Sequence, residues 1–96
     1  MVEARSDQRD AERDLNLARQ RAFLESLGRS VRLARARMGW TQQQLANAAG
    51  LDRTYIGTLE RGERNVGVSS LLAVAAALRT SLSALVAEAE RLPSSR

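Results

Sequence analysis

Arg53, Thr54 and Thr58 lie on a short segment whose apolar residues, Leu51, Ile56 and Leu59, mark one face. Their side chains offer hydrogen bonds rather than bond-making chemistry. A guanidinium can donate two parallel bonds to guanine O6 and N7, and a threonine can meet a thymine methyl or a polar base edge. Reaction chemistry is much harder to assemble. The 96-residue chain has no cysteine and no histidine, which removes thiolate nucleophiles, disulfides and the usual zinc sites. Its acids are scattered or fall at cap and ion-pair positions, so no nucleophile–base pair can be built. The residue types point to recognition. No enzyme activity, metal or cofactor is expected.

Charge supports the same direction through its distribution more than its total. All fifteen basic residues are arginine, and the net charge is only +4. Residues 1–21 carry five arginines and five acids, and are neutral. Residues 22–64 carry seven arginines against four acids, so most of the excess surrounds Arg53.

The elements that must position these residues can be read from Thr41–Arg61, TQQQLANAAGLDRTYIGTLER. Leu45, Ala46 and Ala49 give one short apolar face, and Leu51, Ile56 and Leu59 give another. Gly50 between them can take positive φ without a Cβ penalty, and the small Ala46 lets the second helix approach the first. Thr41 caps the first helix in a Thr-x-x-Gln box with Gln44, and Asp52 caps the second. Together they form a helix-turn-helix, a unit that lays its second helix in the DNA major groove. Arg53, Thr54 and Thr58 would then meet base edges, with Gly57 on the outer face letting backbone approach the groove. Tyr55 either packs at the domain edge or reaches a phosphate or sugar. Gln43, Arg61 and Arg64 are candidate backbone contacts.

The rest of the chain supplies three more helices and no strand. Met1–Gln20 alternates charge and predicts a solvated helical arm, with Leu15, Ala18 and Ala22 available to a partner subunit. Leu27, Val31, Ala34 and Met38 recur at helical spacing over Phe23–Met38, although Gly28 weakens that helix. Arg35 falls on the same face and needs a partner, because burying an unpaired charge is costly. Val68–Leu78 is apolar on nearly every side and is expected to be the most buried helix. Ser81 caps a last helix whose apolar side is Leu82, Leu85, Val86 and Ala89; Pro93 follows it. The expected division is a charged arm over 1–22, a DNA-binding and dimerisation domain over 23–90, and a tail over 91–96.

The stretch TQQQLANAAGLDRTYIGTLERGERN, followed by Ser-Leu-Ser-x-Leu at the last helix, resembles the Cro/repressor (Xre-type) helix-turn-helix proteins. The resemblance covers about Leu27–Val86. It implies an all-α, five-helix Cro/repressor-like (lambda repressor-like) fold, here with the arm added. It also implies that Gln42 bonds a phosphate at the start of its helix, and that Arg35 pairs with Glu60. RTYIGTLERGERN is especially similar to the controller proteins of restriction–modification systems. One departure concerns the last inter-helix turn: family members often carry Gly–Val where this chain has Arg79–Thr80. An arginine at a left-handed position costs about 1 kcal/mol or more, so a rebuilt cap is expected there.

These expectations converge on a sequence-specific regulator of transcription that binds double-stranded DNA. One bidentate base contact discriminates by about 1–3 kcal/mol, while regulators need about 4–10 kcal/mol over random DNA. Two copies on a palindromic operator meet that requirement, with half-sites about 34 Å or a multiple apart. The expected dimer surface is Leu82, Leu85, Val86 and Ala89 with part of the preceding helix. RNA polymerase or a toxin are further candidate partners. The alternatives are the antitoxin that represses its own toxin–antitoxin operon, and an interaction module that kept the fold without binding DNA. No apolar run approaches the roughly 20 residues needed to span a bilayer, so no membrane partner is expected and the cytoplasm is the expected location.

Overall fold

Gly28 decides where the first helix can lie. A Cβ at this position would stand 2.4 Å from the Glu60 carbonyl oxygen and 2.5 Å from that of Leu59. Only a glycine lets the two backbones come this close. The local weakening expected of a mid-helix glycine is therefore offset by packing. The helix runs unbroken where the sequence suggested an arm and a separate helix.

A computed structural model of the chain describes residues 2–63 and 66–93. Five helices follow in order: α1 (Val2–Arg37), α2 (Gln42–Ala49), α3 (Arg53–Glu60), α4 (Val68–Ala77) and α5 (Leu82–Arg91), with no strand among the described residues. The molecule measures 56 × 24 × 21 Å. Its long dimension is α1, whose 36 residues rise roughly 54 Å. Residues 7–23 of that helix are exposed all round, and packing begins at Leu24.

The core is one cluster: Leu27 and Val31 from α1, Leu45 and Ala46 from α2, Ile56 and Leu59 from α3, Leu71, Val74, Ala75 and Leu78 from α4 and its end, and Leu85 and Ala89 from α5. Ala34 and Met38 extend the α1 face and are half-buried against it. Polar links tie α1 to α5. The buried Ser30 hydroxyl donates to the Leu85 carbonyl at 3.0 Å, and Arg29 donates to the Pro93 carbonyl. Glu88 accepts from both Arg91 and Arg37, which hold its carboxyl below the usual carboxylate range.

Four helices end in the same way. After α1, α2, α3 and α4, one residue turns left-handed, and paired N–H groups close back on the last turn in the Schellman pattern. Three of these residues are Gly39, Gly50 and Gly62, at φ +70°, +69° and +68°. The fourth is Arg79, at φ 58°. Thr80 N–H reaches the Ala75 carbonyl at 2.9 Å and Arg79 N–H the Ala76 carbonyl at 3.0 Å. The cap after α4 is thus not rebuilt; it keeps the glycine geometry with an arginine in it.

Two further expectations are corrected. Helix α4 is not the most buried: Val68 is 63% and Leu72 52% exposed, one turn apart on an open side. Composition made the helix apolar all round, but its fully buried residues are Leu71, Val74 and Ala75, with Ala77 packed partly against the cluster. On α5, Leu85 and Ala89 are 3% and 2% exposed within the chain itself. They are consumed by the intrachain core and cannot serve a dimer surface; Leu82 and Val86 are only partly buried.

Candidate nucleic-acid interface

Both ends of the helix-turn-helix are fixed by short-range hydrogen bonds. Thr41 Oγ1 accepts from the Gln44 N–H at 3.1 Å, and the Thr41 N–H donates back to Gln44 Oε1 at 2.8 Å. This reciprocal box satisfies two otherwise unpaired donors at the start of α2. Gly50 closes α2, with the Leu51 N–H on the Ala46 carbonyl at 2.9 Å. Asp52 then opens α3, its Oδ1 accepting from the Thr54 N–H at 3.1 Å. The fully buried Leu45, Ala46 and Ile56 join the two helices from within.

This places Arg53 and Thr54 in the first turn of α3, both exposed. Thr58 lies one turn further on. Its hydroxyl donates to the Thr54 carbonyl at 2.8 Å, so its methyl and oxygen lone pairs are left for a ligand, not its proton. Tyr55 is half-buried, and its hydroxyl is enclosed with no hydrogen-bond partner among the described residues. A phosphate contact would require that ring to swing outward.

Gly57 is corrected. It is buried rather than outward-facing. A Cβ there would stand 3.2 Å from Arg61 Nη1 and 3.6 Å from Gln42 Oε1. The missing side chain makes room for those two polar groups to lie over α3.

Beneath them is a polar network. Arg35 Nε donates to Glu60 Oε2 at 2.6 Å and Nη2 to Oε1 at 2.9 Å, a two-point pair. Arg35 Nη1 also donates to the Trp40 carbonyl at 2.7 Å, and Gln42 Nε2 donates to Glu60 Oε1 at 3.1 Å. The hydrogen bond from Arg35 to Glu60 holds the guanidinium more firmly protonated than usual, against the opposing effect of burial. Gln42 is thus tied to the base of α3 through its amide nitrogen. Residue types and spacing do not reveal this link, because the two residues are eighteen apart on different helices.

The other candidates lie around this patch. Gln43 is exposed and donates to Asn47 Oδ1 at 2.8 Å. Arg61 is 57% exposed in its side chain and lies 3.0 Å from Glu63, an ion pair open to solvent. Arg64 lies outside the described residues. The structure thus brings Gln42, Arg53, Thr54, Thr58 and Arg61 to the two helices of one motif. It leaves Tyr55 turned inward.

Comparison with known proteins agrees with this geometry. A helix-turn-helix family model matches residues 31–85. The control protein C.SmaI of Serratia marcescens is 48% identical over 62 residues, 65% of this chain and 74% of that protein. The competence pilus inhibition repressor of Acinetobacter baylyi is 38% identical over 66 residues, 69% of this chain and 60% of that protein. Among solved structures, the restriction-modification controller protein C.AhdI from Aeromonas hydrophila superposes with a TM-score of 0.63 at 40% identity. That match covers 65% of this chain and 94% of C.AhdI. The chain belongs to the Xre/Cro-type helix-turn-helix family and is similar, within it, to the restriction–modification controller proteins.

Proposed function

We propose that this protein is a sequence-specific, double-stranded DNA-binding regulator of transcription, of the controller type. The observation that carries the reading is the exposed Arg53–Thr54 pair at the amino end of α3, held by the Gly50 turn and the Asp52 cap. A guanidinium there is free to read a guanine, while Thr54 and Thr58 add methyl or acceptor contacts. Gln42, Gln43 and Arg61 flank the groove-facing turn as phosphate contacts, with the amino end of α2 adding its partial positive charge.

One such helix supplies too little discrimination alone, so the protein acts as a homodimer on a two-fold operator. Since Leu85 and Ala89 are spent inside the chain, the pairing surface is Leu82 and Val86 with the open side of α4. With DNA as its partner, the protein works in the cytoplasm. The names of its relatives, a control protein and a repressor, suit such a role.

The test is selection of bound duplexes from a random pool, followed by titration at two salt concentrations. A two-fold symmetric motif and a steep salt slope support the reading. Recovery of no motif, with affinity independent of salt, overturns it.

A further inference from the structure

We propose that the projecting half of α1 pairs antiparallel with the same segment of a second copy, giving the protein a self-association surface separate from its globular part. Ala11, Leu15, Ala18 and Ala22 form a stripe at spacings of four and three, the repeat of a helix–helix seam. All four are exposed, Leu15 at 51%. At 3.6 residues per turn, this stripe lies on the side of α1 opposite Leu27 and Val31, which face the core. A second helix can therefore lie along it without meeting α3 or α5.

Charge identifies the occupant. Glu12, Asp14, Arg19 and Arg21 flank the stripe, and none has an ion-pair partner among the described residues. In an antiparallel pair with Leu15 opposite Ala18 of the second copy, Ala22 falls opposite Ala11. Large and small residues then alternate across the seam. In that one register, Glu12 meets Arg19 of the second copy, and Asp14 meets Arg21, each twice by symmetry. A parallel pair would keep only Asp14 against Arg19 of the second copy and would set Asp7 against Glu12, so it has fewer attractive contacts and a repulsive one. Flanking charges of this kind select orientation and partner more than they add strength.

The register has a geometric consequence. Its two-fold axis crosses between residues 16 and 17, about 22 Å along α1 from Val31, so the two globular parts sit roughly 44 Å apart. They cannot touch across that axis. The seam is therefore distinct from any dimer made through α4 and α5, and it does not depend on the DNA-binding reading.

The experiment uses full-length chains. One variant carries Glu12→Arg with Asp14→Arg, the other Arg19→Glu with Arg21→Glu. Sedimentation is expected to show each variant alone at a lower mass than the wild type at the same concentration, and their equimolar mixture restored to the wild-type mass. The chain has no cysteine, so Leu15→Cys mixed with Ala18→Cys is expected to give mainly the mixed disulfide under mild oxidation. Variants that sediment like the wild type, a mixture that fails to restore the mass, or disulfides formed mainly between identical positions would each overturn the proposal.

Discussion

Arg35 and Glu60 meet through two parallel hydrogen bonds, 2.6 and 2.9 Å long, between the last turn of α1 and the last residue of α3. Their side chains are 16% and 3% exposed. The pair anchors the far end of the helix whose near end carries Arg53. It also fixes Gln42, so one carboxylate positions parts of both helices of the motif.

Glu60→Ala strands a largely buried guanidinium and is expected to cost about 3–5 kcal/mol, since removing one partner leaves the other charge uncompensated. Urea unfolding measures the loss, and duplex affinity should fall with it. An unchanged midpoint would mean that the pair contributes nothing to holding α3.

The left-handed residues offer a matched comparison. Arg79→Gly relieves a backbone conformation that disfavours any Cβ, a gain of about 0.5–1 kcal/mol after the entropy cost of glycine. Gly50→Ala goes the other way and costs about 1–2 kcal/mol, although its Cβ would meet nothing within 4 Å. Thermal melts of both variants check the sign.

Tyr55→Phe removes a hydroxyl that is enclosed without a partner. Stability should rise by about 1 kcal/mol, with duplex affinity unchanged. A several-fold loss of affinity would show that the ring swings out to reach the DNA.

Much of this could be read from residue types. Thr41, Asp52 and Ser81 cap their helices as their positions predict, and Gly50 makes the turn. Arg35 was legible as a charge on an apolar face, so its need for a partner followed from periodicity. What stayed hidden depends on distant contacts. Gly28 looks like a helix breaker until the α3 carbonyls are seen against it. Gly57 looks outward-facing until Arg61 and Gln42 are found over it. On α4, apolar residues on every side give no way to tell Leu71, which is buried, from Leu72, which is open. Leu85 and Val86 pose the same problem on α5.

That distinction separates two substitutions with similar chemistry. Leu85→Arg places a charge at a 3% exposed core position and should cost more than about 3 kcal/mol. Leu72→Arg alters a 52% exposed position and should change the stability of the single chain by no more than about 0.5 kcal/mol. If α4 contributes to the homodimer, Leu72→Arg also weakens association in a sedimentation experiment while the fold persists.

The regulator reading meets its most direct test in the affinity of Arg53→Gln combined with Thr54→Ala, measured on the selected operator and on random duplex. The double variant should melt like the wild type and bind random duplex nearly as well. Its preference for the operator should fall at least about ten-fold, the equivalent of a single lost bidentate contact. A variant that keeps the full wild-type preference would show that α3 does not read the bases.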